Sequence, residues 1–266
     1  MNRCKAVVLI LLVAGIALYS CSSDEEKKAS HLEKGNAYFE KGEYRSAELE
    51  LRNAVQIDPG YLTAYEKLGE VYLKLGNAQQ AFKTYSRVAE LDPGNMNAQL
   101  KLATFYMLGK KLNESREKID LVLSKQPDNI DALFLLAGVC NMEKKFQEAE
   151  SVFNKILVLD ADQTKAYLGL GRVLTQQGKF DDAEKKLKTA VSLDRKEIKP
   201  ALALFGFYMN RKNFDMALAT IENAIKENPA DADLYIVLGN FYYGRKNRDK
   251  AEAAYMKAIE TAPENV

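Results

Sequence analysis

Apolar residues recur at steps of three and four along most of the chain, in short runs that come in pairs. Within residues 62–95 the first run includes Tyr65, Leu68 and Tyr72, which share one face of a helix. Gly76 follows, and a second run with its own apolar stripe ends at an Asp-Pro-Gly sequence that suits a turn. The pattern predicts two antiparallel helices joined at Gly76. One such pair cannot cover its own apolar face, so further pairs must pack beside it.

This pattern returns with a period of 34 residues and fills residues 28–265 without an insertion. Most units have small residues at positions 8 and 20, an aromatic ring at position 11 and proline at position 32. Small side chains let two helices approach closely, and the ring beside them fills the remaining space. We number the units repeats 1 to 7, and they span 28–61, 62–95, 96–129, 130–163, 164–197, 198–231 and 232–265.

The period and this order of small, aromatic and proline positions resemble the tetratricopeptide repeat, or TPR. The resemblance implies an all-α fold, a right-handed α-α superhelical solenoid of seven helix hairpins in which each repeat contacts its neighbours. It also implies protein binding, although the fold serves many partners and names none of them. Repeat 6 departs from the pattern with Phe205-Gly206 where small and polar residues usually stand, so we expect a local shift in helix packing.

The N-terminus has a different pattern, and residues 1–20 read as a lipoprotein signal peptide. A positively charged start precedes an apolar run that is shorter than the roughly 20 residues needed to span a bilayer. The run ends in Leu18-Tyr19-Ser20-Cys21, which resembles a bacterial lipoprotein cleavage box and implies a lipid anchor on Cys21. Residues 21–27 then form a short tether, and Ser22 implies the outer membrane with the repeats facing the periplasm. The alternatives are an ordinary signal peptide or an uncleaved anchor in which Cys21 is incidental.

Composition favours a scaffold over an enzyme or a nucleic-acid-binding protein. Lys and Arg number 38 against 37 Asp and Glu, so no basic groove for nucleic acid is expected. The single histidine, His31, takes a packing position, and Cys140 takes a core position that is tyrosine in most repeats. Neither forms a metal-ligating or nucleophilic arrangement with other residues. We therefore expect no catalytic residue, no metal and no cofactor.

The resemblance also places a partner groove on the first helix of each repeat, at positions 2, 5, 9, 12 and 13. Eleven of the fourteen residues at positions 5 and 12 are apolar, which favours an apolar peptide or helix as the ligand. The competing interpretation is that these side chains pack between neighbouring first helices. The predicted groove residues are Leu32, Asn36, Phe39, Glu66, Glu70, Leu73, Leu100, Thr104, Met107, Phe134, Asn141, Leu168, Arg172, Leu202, Met209, Ile236, Asn240 and Tyr243.

Together these features predict a membrane-anchored adaptor of the bacterial cell envelope that binds another protein. A lipobox followed by TPR units resembles, in architecture, the TPR lipoproteins of pilus assembly and exopolysaccharide export. The sequence leaves open a polysaccharide- or peptidoglycan-binding protein, or the N-terminal part of a longer repeat array. The array shows no polar capping helix after repeat 7, so we expect exposed apolar residues around Tyr255, Met256 and Ile259. Either this end docks on another molecule or the repeat array continues. A small-molecule ligand is not expected.

Overall fold

A computed structural model describes residues 23–263, and within that range the chain is helical without a strand. The first helices of the repeats are α1 (23–40), α3 (Leu62–Lys74), α5 (Met96–Leu108), α7 (Ile130–Met142), α9 (Thr164–Gln176), α11 (Ile198–Asn210) and α13 (Ala232–Gly244). The second helices are α2 (Tyr44–Ile57), α4 (Ala78–Leu91), α6 (Leu112–Lys125), α8 (Phe146–Leu159), α10 (Phe180–Leu193), α12 (Phe214–Glu227) and α14 (Arg248–Thr261). The all-α TPR fold expected from the sequence is confirmed.

Each repeat is a helix hairpin whose turn contains one residue with a left-handed backbone. In repeat 2 this residue is Gly76, as the sequence predicts, and its φ is 69°. The following N–H, that of Asn77, donates to the Tyr72 carbonyl at 2.9 Å, which satisfies one of the carbonyls at the end of α3. Glycine takes this place in three repeats and lysine in four, at Gly42, Gly76, Lys110, Lys144, Gly178, Lys212 and Lys246.

The helices of a hairpin approach closely at position 8, as the small residues there predict. A Cβ atom on Gly69 would lie 2.8 Å from the Tyr85 ring, which is itself fully buried. The corresponding distance is 2.6 Å between Gly171 and Leu187. Glycine therefore allows the bulky side chain of the second helix to lie directly against the backbone of the first.

The chain divides into two compact units, the first ending at Pro127 and the second beginning at Asp128. In the first unit, Leu51, Tyr85 and Val88 are fully buried in a continuous apolar core. In the second unit, Ile221 and Leu234 are fully buried between neighbouring hairpins. Further core residues outside these clusters continue the same positions of the repeat.

Five residues singled out in the sequence lie within the described part of the chain. Cys140 is buried in α7, which confirms its predicted core position. His31 is half-buried, with Nδ1 2.6 Å from a Glu50 carboxylate oxygen. Tyr255 is half-buried and packs over Gly239, whereas Met256 and Ile259 are exposed, so the expected apolar surface is smaller than predicted.

The proposed signal peptide and Cys21 lie outside the described residues. Among residues 23–263, no helix has the length and apolar character needed to cross a membrane.

Candidate functional site

All predicted groove residues lie on the first helices, and none of them is fully buried. Most are half-buried, which is the expected state of side chains that both pack against a neighbour and face solvent. The most exposed of the apolar ones are in repeat 7, where Ile236 is 42% and Tyr243 67% exposed. Exposed apolar side chains in a row along parallel helices are typical of a surface that binds another protein. Their role in binding stays a prediction.

Two adjoining hollows lie along the first helices of repeats 4 to 6. The first, of about 270 Å³, is bordered by Phe134 and Asn141 of α7 and by Leu168 and Arg172 of α9. The second, of about 520 Å³, shares Leu168 and Arg172 with the first and extends to Leu202 of α11. The structure therefore brings together five of the predicted groove residues in one continuous depression.

The floor of the first hollow comes from residues that the sequence pattern did not identify as part of the site. Phe153 of the second helix α8 reaches the hollow, and its ring meets that of Phe134 edge to face at 6.2 Å. Gly169 allows this, because a Cβ atom there would lie 2.2 Å from the Phe153 ring. The depth of the hollow therefore depends on a glycine on one helix facing a large ring on another.

The charge around the two hollows is entirely positive. Lys165 and Arg172 border the first, Arg172 and Lys199 border the second, and no carboxylate lines either one. Lys199 lies 3.6 Å from Glu197, while Lys165 and Arg172 form no ion pair within the described chain. Lys165 and Lys199 stand at position 2, which the TPR resemblance already assigns to the groove. Reading that position repeat by repeat would have identified them, since lysine stands there only in repeats 5 and 6.

One polar group in the first hollow lacks a partner. The side-chain oxygen of Asn141 is buried and accepts no hydrogen bond within residues 23–263. A buried acceptor without a donor costs roughly 1–3 kcal/mol, so a ligand N–H that reaches it would be favoured. Asn141 is therefore placed to accept a hydrogen bond from the backbone of a bound segment.

A third hollow of about 280 Å³ lies in the first compact unit, and Phe39, Glu70 and Leu73 border it. Tyr85 forms part of its wall, and its hydroxyl has no hydrogen-bond partner in the described part of the chain. Burial, with a smaller contribution from Glu70, raises the pKa of Tyr85 to about 12. The phenol therefore stays neutral and offers one hydrogen-bond donor to this hollow.

Other predicted groove residues lie outside the three hollows. Several of the polar ones make bonds within the protein. Glu66 accepts a hydrogen bond from Asn95, Thr104 donates to the Leu100 carbonyl, and Asn240 accepts from the Tyr255 hydroxyl. The remaining residues in this group are Leu32, Asn36, Leu100, Met107, Met209, Ile236 and Tyr243.

Two family models together cover the repeats. The model of the cytochrome c-type biogenesis protein H TPR domain matches residues 25–167. A general tetratricopeptide repeat model matches residues 141–206 and 208–265. No curated protein matches the chain.

Several solved structures share the fold. A tetratricopeptide repeat protein from Parabacteroides merdae superposes with a TM-score of 0.73 at 20% identity, covering 89% of this chain and 94% of its own. PilW, a type IV pilus biogenesis factor, gives 0.67 at 18% identity over 79% of this chain and 98% of its own. MamA gives 0.59 at 19% identity over 66% and 96%. At these identities the similarity shows the fold alone.

Proposed function

Since this chain belongs to the family of the cytochrome c-type biogenesis protein H TPR domain, whose model matches more than half of it, we propose that it is an adaptor for assembly of envelope proteins. The TPR fold is a scaffold for protein–protein interaction. The observation that carries the proposal is the pair of adjoining hollows along α7, α9 and α11. Ligand sites are typically concave, largely apolar and fitted with a few polar groups, and this pair has all three properties.

The ligand that suits the hollows is an apolar segment with at least one carboxylate. Phe134, Leu168 and Leu202 supply apolar contact, and Lys165 and Arg172 supply positive charge without a competing acid. A carboxylate held by Arg can form two parallel hydrogen bonds, which fixes the register of the segment. The Asn141 oxygen adds an acceptor for a backbone N–H. A strongly basic segment would be repelled from the same surface.

The proposal includes a lipid anchor on Cys21 and a position on the periplasmic face of a bacterial membrane, most simply the outer membrane. Its support is the lipobox-like sequence. Residues 23–27, which the sequence predicts as a tether, belong to α1, so the proposed anchor stands directly before that helix. Stable anchoring needs more than one acyl chain, and several chains on one cysteine meet that requirement. The family match to a biogenesis protein and the structural similarity to PilW favour a role in building an envelope complex.

Photo-crosslinking tests the groove. A photoreactive phenylalanine at Leu168 should form an adduct with the partner in membranes, whereas the same residue at the exposed Lys185 of α10 should form none. Arg172→Glu should abolish the adduct because it reverses the charge beside Leu168. Lys185→Glu makes the same charge change away from the hollows and should leave the adduct unchanged. Equal adducts from Leu168 and Lys185, or an adduct that survives Arg172→Glu, would refute the groove proposal.

Fractionation tests the anchor separately. Cys21→Ser should move the protein from the membrane fraction to the soluble fraction and abolish incorporation of labelled palmitate. The matched control is Cys140→Ser, which alters a buried core cysteine and should not change either readout. A Cys21→Ser protein that still pellets with membranes would exclude lipid anchoring without bearing on the groove.

The alternative function that the sequence leaves open is binding of a polysaccharide or peptidoglycan. It would require rows of polar and aromatic side chains along the hollows, whereas only four of the twenty lining residues are uncharged polar ones and three are aromatic.

A further inference from the structure

Repeat 6 has a second pocket, on the side of the molecule formed by the second helices. Its volume is about 470 Å³, and it opens between α10 and α12. Its apolar wall includes Val191, Ala201, Leu204, Tyr208, Ala219 and Ala224. This volume is within the range of pockets that bind ligands.

This pocket is separate from the groove. On α11 it uses Ala201, Leu204 and Tyr208, at positions 4, 7 and 11, whereas the groove uses positions 5 and 12. At about 100° per residue, the centres of these two sets lie about 120° apart around the helix axis, so they face different sides of α11. Binding at the pocket therefore does not depend on the proposed function of the groove.

The pocket exists because Ala201 is small where other repeats have a large side chain. Position 4 is tyrosine in repeats 2, 5 and 7, as Tyr65, Tyr167 and Tyr235. Repeats 1 and 3 have His31 and Gln99 there. Each of these residues is partly or fully buried, so the space beside the first helix is occupied in those repeats.

The contacts of the position-4 side chains show where that space lies. Two of them contact the residue at position 23 of the same repeat, which lies on the second helix. His31 bonds to Glu50, and the Lys186 ammonium lies 5.6 Å from the centre of the Tyr167 ring. In repeat 6, position 23 is Thr220, which lines the pocket.

Two others donate to the carbonyl at position 32 of the preceding repeat. Gln99 donates to the Pro93 carbonyl at 3.1 Å, and Tyr235 donates to the Pro229 carbonyl at 3.2 Å. The position equivalent to those prolines before repeat 6 is Arg195, which also lines the pocket. The pocket therefore coincides with the space that a position-4 side chain fills elsewhere.

From this equivalence we propose that the pocket of repeat 6 binds a tyrosine side chain of a partner protein, in the place that tyrosine occupies in repeats 2, 5 and 7. The ring lies against Val191, Leu204 and Ala224. Its hydroxyl donates to the Arg195 carbonyl, as Tyr235 does to Pro229. That carbonyl already accepts one bond from Asn228 at 3.2 Å and has a second lone pair.

The hydrogen bonds of the pocket favour an uncharged ring. Tyr208 donates to Glu184 at 2.7 Å, Ser192 donates to the Thr189 carbonyl, and Thr220 donates to the Met216 carbonyl. These hydroxyl protons are already engaged, so none is free to solvate an anionic group.

The charges at the rim favour the same class of ligand. Lys188 pairs with Glu184 at 2.7 Å, and Arg195 lies 3.8 Å from Glu227. The third cation of the lining, Lys226, donates to the Asn223 side-chain oxygen at 3.5 Å. Because Glu197 and Glu227 line the same pocket, an anion would meet carboxylates there as well as cations. A neutral aromatic group gains burial here without leaving a charge unpaired.

Ligand-observed NMR with p-cresol and with N-acetyltyrosine amide tests the proposal on the full chain. Both probes should bind the unmodified protein. Ala201→Tyr fills the pocket from within and should weaken both by at least about tenfold, which corresponds to about 1.4 kcal/mol and is less than burial of a ring provides. Ala219→Trp, at an exposed residue of the pocket wall, should block the opening and gives a second variant if Ala201→Tyr does not fold.

The matched control closes the pocket in repeat 6 and opens an equivalent one in repeat 7. Tyr235→Ala combined with Ala201→Tyr should restore binding of p-cresol, because it recreates the same space one repeat later. Equal binding by the unmodified protein and both blocked variants would overturn the proposal. Binding of p-cresol without binding of N-acetyltyrosine amide would also overturn it, since the pocket would then accept a free phenol and not a tyrosine in a polypeptide.

Discussion

Four lysines adopt a left-handed backbone at the hairpin turns where other repeats have glycine. Lys144 has a φ of 60°, which costs a residue with a Cβ atom roughly 1–2 kcal/mol relative to the right-handed region. Glycine avoids that cost but loses about 0.5–1 kcal/mol more in chain entropy on folding. Lys144→Gly should therefore raise the free energy of unfolding by about 0.5 kcal/mol, measured by chemical denaturation.

The reciprocal change supplies the control for the lysine turns. Gly76→Lys introduces the same strain at a φ of 69° in an otherwise equivalent turn, and it should lower the free energy of unfolding by a similar amount. A gain in stability from Gly76→Lys would show that the lysine side chain stabilises the turn more than its backbone strain destabilises it.

Two glycines in first helices should respond in opposite ways to the same methyl group. Gly69→Ala places a Cβ atom 2.8 Å from the buried Tyr85 ring and should destabilise the protein by about 1–3 kcal/mol. Gly206→Ala meets nothing within 4 Å and should stabilise α11 by about 0.5–1 kcal/mol through helix propensity. Thermal unfolding of both variants measures the difference, and equal effects would contradict the close packing at position 8.

Helices α10 and α11 are tied together by one carboxylate, which makes their packing depend on pH. Glu184 accepts hydrogen bonds from Lys188 of its own helix and from Tyr208 of α11, both at 2.7 Å. The Lys188 bond, followed by the Tyr208 bond, holds the pKa of Glu184 below its usual value of 4.5. The unfolded chain therefore takes up the proton first as the pH falls.

It follows that this stabilisation is complete above pH 4.5 and is lost as the pH falls through the lower pKa of the folded state. Glu184→Gln should lower the unfolding temperature near neutral pH and converge with the unmodified protein in acid. Glu222 is exposed on α12 and forms no ion pair within residues 23–263, so Glu222→Gln is the matched control and should run parallel to the unmodified protein. If the unfolding temperature of Glu184→Gln also ran parallel to that of the unmodified protein across this pH range, the stabilising role of the Glu184 hydrogen bonds would be excluded.

The helices themselves could be predicted because each is determined by local and periodic information. Turn glycines, apolar stripes and the 34-residue period were sufficient to place Gly76, the close approach at position 8 and the buried Cys140. The hollows could not be predicted in the same way, because each depends on side chains from separate helices. Phe153 lies under Gly169, and neither residue stands at a position that the TPR resemblance assigns to the groove.

In repeat 6 the sequence directed attention to a residue other than the one that opens the pocket. The sequence drew attention to Phe205, whose ring meets Phe241 edge to face at 6.2 Å. The opening in this repeat instead comes from Ala201, which is an ordinary residue in a helix and becomes informative only beside the tyrosines at the same position elsewhere. A comparison of repeats position by position would have found it from the sequence.

Stability in a repeat protein spreads mainly through neighbouring hairpins, since each repeat packs on the next. Ile221 is fully buried in α12 and contacts a cluster that includes Leu234 of α13. Ile221→Ala should cost about 2–5 kcal/mol and reduce hydrogen-exchange protection most strongly in α11 to α13. Uniform loss of protection from α2 to α14 would instead show that the chain unfolds as a single cooperative body.

The two adjoining hollows also constrain the amino-acid sequence of whatever binds there. Packed helices lie about 8–10 Å apart, so successive hollows recur at about that interval. An extended polypeptide advances about 3.3 Å per residue and would need an apolar side chain at every third position. A helical one rises 1.5 Å per residue and would need them about six or seven positions apart. Candidate binding sequences can therefore be sorted by the spacing of their apolar residues before any of them is tested.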